Sequence, residues 1–121
     1  MELTRKQKEE IEKAGAKFLR NRRPPEEIRN KVDLAYRIEG QSVFIYEIRP
    51  KWDNEKVIIE EQIAKATYVE SQKHWKIFWM RGNLKWILYE PIPYVKLISD
   101  FFDIVSDDEM FCFFETVPYF V

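Results

Sequence analysis

The sequence predicts an α+β fold: an N-terminal helix, an antiparallel sheet of four to five strands built as a meander of hairpins, and a C-terminal amphipathic helix packed on that sheet. Three observations predict it. Apolar residues recur at helical spacing before residue 23 and after residue 93. Between those segments they alternate with polar residues, the two-residue period of strands. The strand-like runs also follow one another directly, without the long crossovers that parallel strands require.

The first helix is expected over residues 3–22, with Thr4 as N-cap and Leu3, Ile11, Ala14, Phe18 and Leu19 near one face. Pro24 and Pro25 stop it, because a residue before proline is pushed out of the helical region. A short helical turn from Pro25 to Lys31 follows, with Glu26 and Glu27 near its positive end.

Residues 32–50 read as a hairpin. Val32, Leu34, Tyr36 and Ile38 alternate with Asp33, Ala35, Arg37 and Glu39, and Phe44, Tyr46 and Ile48 alternate with Val43, Ile45, Glu47 and Arg49. Putting both sets on one face requires a three-residue loop, Gly40-Gln41-Ser42, which places Ile38 opposite Phe44, Tyr36 opposite Tyr46 and Leu34 opposite Ile48. Pro50 is expected to end the strand, residues 51–56 to form a loop, and residues 57–70 to form a strand bent near Glu60 and Glu61. Residues 74–81 and 84–90 form a second hairpin around a two-residue Gly82-Asn83 turn. That register sets Trp79 opposite Trp86 and Ile77 opposite Leu88. Pro91 and Pro93 then open a helix whose apolar stripe holds Tyr94, Leu97, Ile98, Phe101, Phe102, Ile104 and Val105. Asp107, Asp108 and Glu109 would sit at its negative end, so it should stop by Ser106. The apolar tail after it adds a strand or covers a neighbouring subunit.

The totals agree with one domain over residues 1–121: a helical segment (1–31), a sheet (32–90), and a helix with its tail (91–121). At 121 residues, 45% hydrophobic with 19 aromatics, the chain can bury a core without metal or disulfide support. The single cysteine, Cys112, lies among phenylalanines and acidic residues, the setting of a buried thiol rather than a reactive one. The N-terminus has no signal-peptide core, and no apolar run approaches the about 20 residues that span a bilayer. A soluble protein of a reducing cytoplasm is expected, with no membrane association.

Net charge is −1 but uneven. Residues 1–31 carry ten basic and six acidic side chains (net +4), residues 32–89 nine and eight (net +1), and residues 90–121 one and seven (net −6). The two ends can attract each other within the fold or across a dimer. With one histidine and three glycines, no metal cluster, Ser-His-Asp set or glycine-rich phosphate loop can be assembled, so no metal and no cofactor are expected.

Several segments together carry a resemblance. They are EGQSVFIYEIRPKWDN, IAKATYV, WKIFWMRGNLKWILYEP and the late Cys-Phe-Phe. The chain resembles, from about Arg23 to Phe114, the small bacterial proteins of domain-of-unknown-function family 3024. The matching residues are Gly40, Glu47, Arg49, Pro50, Trp52, Asp53, Ala64, Lys65, Trp75, Trp79, Arg81, Lys85, Trp86 and Tyr89. Two positions depart from the family pattern: Ile87 where members usually carry histidine, and Glu115 where they tend to end in glycine. The resemblance implies a small bacterial domain and no particular activity.

Three constellations bear on function. Glu47, Arg49, Trp52 and Asp53, with Lys65 and Arg81, form a candidate ligand or partner site, since an arginine and a tryptophan at a strand end make a good anchor. Lys65, Lys76, Arg81 and Lys85 interleave with Trp75, Phe78, Trp79, Trp86 and Tyr89, a pattern suited to phosphates and stacked bases. Arg20, Arg22 and Arg23 could add phosphate contacts. Asp33, Glu47 and Arg49 have the spacing of a metal-dependent nuclease hairpin and fall on one face in the expected register. However, an arginine cannot act as a base and would compete with the metal. The reading that follows is a non-catalytic binding domain. Its partner is a protein or a second copy held through the apolar tail. Nucleic acid is the alternative and a nuclease-like enzyme the third.

Overall fold

The computed structural model describes residues 2–81, 84–108 and 113. Helix α1 spans Arg5–Arg22. Thr4 caps it reciprocally: Thr4 Oγ1 accepts the Gln7 N–H at 3.1 Å, and Gln7 Oε1 accepts the Thr4 N–H at 2.8 Å. Leu3, Ile11, Gly15 and Phe18 are its buried contacts. A single 3-10 turn, Glu26–Ile28, leads to the sheet.

The sheet contains β1 (Asp33–Glu39), β2 (Ser42–Lys51), β3 (Asn54–Val69), β4 (His74–Met80), β5 (Trp86–Leu88) and β6 (Tyr94–Val95). The order is β1-β2-β3-β4-β5, every pairing is antiparallel, and β6 joins β4 beside β5. Helix α2, Ile98–Asp107, follows. The α+β architecture is therefore the expected one.

Both helices lie on one face. Ile98, Phe101, Phe102 and Val105 of α2 and Ile11 and Phe18 of α1 join Leu34, Val43, Ile45, Ala64, Ala66, Trp75 and Ile77 in one core. These sheet positions share a face by register: Ile45 pairs with Ala64, Ala64 with Trp79, and Ala66 with Ile77. Phe102 sits 5.4 Å from Phe18 and edge-on to Tyr36 at 5.7 Å. Gly15 permits the approach of α1 to β1, since a Cβ there would lie 2.4 Å from Tyr36 Cε1.

Both hairpin registers differ from the expected ones by a single residue, in opposite senses. Glu39 pairs with Ser42, so the first connection is the two-residue turn Gly40-Gln41, with Gly40 at φ 58°. Ile38 faces Val43, Tyr36 faces Ile45, and Leu34 faces Glu47. Val43 and Ile45 are thus the core residues of β2, and Phe44, Tyr46 and Ile48 point the other way. Two apolar sets compete on this strand, and the compact branched set fills the space beneath the helices. In the second hairpin Met80 pairs with Trp86, Trp79 with Ile87, and Phe78 with Leu88. The connection spans 82–84, with Leu84 at φ 62° and the Arg81 N–H donating to the Lys85 carbonyl at 3.1 Å. Gly82 and Asn83 lie outside the described residues.

Three further expectations are corrected. Residues 51–56 are not a loop: β2 runs through Pro50 to Lys51, only Trp52 and Asp53 form the turn, and β3 begins at Asn54. Proline is tolerated because, among the described residues, this part of β2 has no neighbour on its other side, and the register shifts between Pro50 and Lys51. The bend of β3 is a bulge at Ile63, between the pairs Ile45–Ala64 and Tyr46–Gln62. The second helix starts at Ile98 rather than at the prolines, because Tyr94 and Val95 pair with Lys76 and Trp75 first. It ends at Asp107, and left-handed Asp108 at φ 43° accepts the Phe113 N–H through its carboxylate at 3.0 Å. Cys112 and the tail from residue 114 lie outside the described residues.

Candidate functional site

Among the described residues, no element covers the second face of the sheet. Its register positions run from Arg37 on β1, through Phe44 and Tyr46 on β2 and Lys65 and Thr67 on β3, to Lys76 and Phe78 on β4 and Trp86 on β5. All are partly exposed. The rings and cations interleave. Lys65 Nζ lies 4.6 Å from the Phe78 centroid and 4.9 Å from that of Trp86. Lys76 Nζ lies 5.7 Å from Phe78. On the other side, the Arg37 guanidinium stands 4.7 Å over Tyr46 and 5.6 Å from Phe44. Trp86 reaches to 6.0 Å from Phe44, although β3 and β4 stand between their strands. The face is therefore a continuous aromatic surface studded with cations.

Charge is not evenly neutralised across it. Arg37 is held by Glu60 at 2.9 Å and Glu39 at 3.3 Å. Lys65 and Lys76 have no carboxylate within 4.0 Å among the described residues. Burial among the rings lowers the pKa of Lys65 from its ordinary value, because the charged form loses hydration there. The β3–β5 half of the face thus presents two cations and at least two rings with no acid between them.

The sequence-predicted site residues are dispersed. Lys65 and Lys76 lie on the open face with Phe78 and Trp86, whereas Trp75, Trp79 and Tyr89 belong to the helix side. Glu47 and Arg49 fall on the helix-side parity, and Arg49 is ion-paired with Glu61. Asp33 falls on the opposite parity and is gripped by Arg23, whose Nε and Nη2 each donate at 2.8 Å. That grip holds the Asp33 carboxyl below its usual range. The expected one-face set of Asp33, Glu47 and Arg49 is therefore corrected: the two-residue turn separates the two carboxylates. Among the described residues, no group of three or more His, Cys, Asp or Glu side chains could hold a metal.

Trp52 does not cover the sheet edge. It is 93% exposed at the tip of the β2–β3 ribbon, beside the Lys51–Asp53 pair at 3.7 Å. Arg81 and Lys85 are exposed at the β4–β5 end. Arg20 is exposed and Arg22 half-buried in the last turn of α1, so the Arg20, Arg22 and Arg23 group belongs to the helix rather than to the open face. A cleft of about 50 Å³ between α1 and α2, lined by Phe18, Asn21, Phe102 and Asp103 among others, has room for a few waters.

Sequence reasoning missed Arg37, Phe44 and Tyr46 as members of the site. The available signal was Gly40, since a glycine opening a two-residue turn is a hairpin signature and would have reversed the parity of β2.

A small α+β domain with one helix-covered and one open sheet face is the class defined here. The chain belongs to the family described as Domain of unknown function (DUF3024), whose profile matches residues 3–115. No curated protein and no solved structure matches the chain. No helix among the described residues is long and apolar enough to cross a membrane.

Proposed function

We propose that this protein is a non-catalytic binding domain that takes single-stranded nucleic acid on the open face of its sheet. The observation that carries the reading is the placement of Lys65 and Lys76 over Phe78 and Trp86 without an acidic partner among the described residues. Single strands offer what this face lacks: π-faces that stack on rings, each worth roughly 1–3 kcal/mol, and phosphates that replace the missing carboxylates. The exposed rings suit unstacked bases, which a duplex does not offer. The acidic side chains at this face's register positions are already engaged, Asp33 by Arg23 and Glu39 and Glu60 by Arg37, so the strand is expected to track over Lys65, Lys76, Phe78 and Trp86.

Fluorescence anisotropy with labelled single- and double-stranded oligonucleotides tests this. Single strands should bind more tightly, and log K should fall with log salt by about 0.7 per phosphate neutralised. Trp86→Ala and Lys65→Met should each abolish most of the affinity with the fold retained. An absence of binding at tens of micromolar protein and low salt, or binding indifferent to both substitutions, refutes the reading.

A further inference from the structure

Strand β3 has two kinds of edge. From Ala64 to Val69 it pairs with β2 on one side and β4 on the other. From Asn54 to Gln62 it pairs with β2 alone, and among the described residues its second side is open. That side is also apolar at its middle: Val57 is 42% and Ile58 59% exposed. An open, apolar strand edge is a template for another strand. We propose that two copies of this chain pair through it, β3 to β3, antiparallel about a twofold axis at Ile58.

The register follows from symmetry and charge independently. A twofold axis between antiparallel edge strands stands perpendicular to the sheet and keeps each face on its own side, so residues of like parity meet. An axis at Lys56 or Glu60 sets like charges directly opposite each other. One at Val57 sets Lys56 against Ile58, and one at Ile59 sets Ile58 against Glu60. Only the axis at Ile58 stacks Ile58 on Ile58, Val57 on Ile59, and Lys56 on Glu60 twice over; it also brings Glu55 opposite Glu61, whose charge Arg49 already neutralises within each copy. Lys56 is exposed and has no carboxylate within 4.0 Å among the described residues, and the Glu60 carboxylate is 50% exposed beyond its contact with Arg37. Ile58 is also the midpoint of the open edge, which runs from the first residue of β3 to Gln62, next to the bulge at Ile63. In this register Asn54 of one copy meets Gln62 of the other. The β3–β4 ladder, Ala64 with Trp79, continues to the level of Arg81 at Gln62. The turn bearing Trp52 in one copy thus arrives at the β4–β5 end of the other, where Leu84 is 80% exposed. The two most exposed large apolar side chains among the described residues would cover each other, and the open faces of the two copies would join into one surface. The pairing is independent of what that surface binds.

Sedimentation velocity from micromolar to near-millimolar protein reads the outcome. The wild type should be a dimer at the upper concentrations and remain one after deletion of residues 116–121. Lys56→Glu and Glu60→Lys should each weaken self-association roughly tenfold or more, since each puts like charges opposite at both symmetric positions. An equimolar mixture of the two variants should recover a heterodimer, because both 56–60 pairs are then of unlike sign. Lys56→Glu removes no ion pair of the folded chain seen among the described residues, and circular dichroism should show an unchanged fold. A monomer at all concentrations overturns the proposal. So does a dimer insensitive to both substitutions, one lost on tail deletion, or two variants that fail to recombine.

Discussion

The helix-covered and open faces of this sheet are both rich in large apolar side chains, yet they use them differently. On the covered face, Val43, Ile45, Ala64, Ala66 and Ile77 are fully buried, and small residues on β3 leave room for Phe101 and Phe102 from α2. On the open face the rings of Phe44, Tyr46, Phe78 and Trp86 are only half-buried and are topped by Arg37, Lys65 and Lys76. Aliphatic groups pack to a density that excludes water, whereas aromatic rings under cationic side chains remain stable at a water boundary and accessible to a ligand. Stability and recognition are thus assigned to opposite sides of the same strands, often to consecutive residues.

The contrast can be broken from the covered side first. Phe101→Ala removes a fully buried ring and should cost about 3–5 kcal/mol in urea or thermal unfolding. Gly15→Ala is next: the methyl group would collide with the Tyr36 ring, and overpacking of about 1–3 kcal/mol outweighs the roughly 1 kcal/mol gained in helix propensity. Trp86→Ala should cost about 1 kcal/mol of stability, far less than Phe101→Ala, while removing most oligonucleotide affinity. A stability loss as large as that of Phe101→Ala would place Trp86 in the structural core and end the distinction between the faces.

Two smaller effects sharpen the comparison through pH. The Arg23–Asp33 pair lowers the folded pKa of Asp33 below 3.8, so its stabilisation is fully present above about pH 4 and is lost as pH falls through the lower folded value. Because Arg23 is partly exposed, the pair is worth no more than about 1 kcal/mol. Arg23→Ala should flatten the acid limb of the stability profile by that amount. Lys65 behaves in the opposite sense. Its folded pKa lies below the unfolded value of 10.5, so the folded state loses its proton first and stability rises with pH in that alkaline window. Lys65→Met should remove that slope.

Local signals in the sequence were legible wherever one element decides them alone. Thr4 announces the start of α1, and the proline pair announces its end. Phe101, Phe102 and Val105 announce the buried stripe of α2. The α+β class followed from these and from the alternating runs. Registers were not legible, because β2 offers two apolar sets of opposite parity and only the helices decide which set is covered. The turn at Gly40-Gln41 and the connection over 82–84 each moved the pairing by one residue, and each move turned every side chain of its strand over. The candidate site was therefore half visible. Lys65, Lys76, Phe78 and Trp86 were named but scattered among residues that the fold buries, and Arg37, Phe44 and Tyr46 were assigned elsewhere.

The bulge at Ile63 has a dynamic consequence. It divides a 16-residue strand into a segment clamped between two neighbours and a segment held by one. The clamped segment can open only when the core opens, so amides from Ala64 to Tyr68 should exchange hydrogen with the free energy of global unfolding. In the monomer the ribbon beyond it is a two-stranded structure with little core behind it, and amides from Glu55 to Ile59 should exchange through local fraying, many orders of magnitude faster. One continuous strand would then belong to two cooperative units, with Ile63 as the border between them.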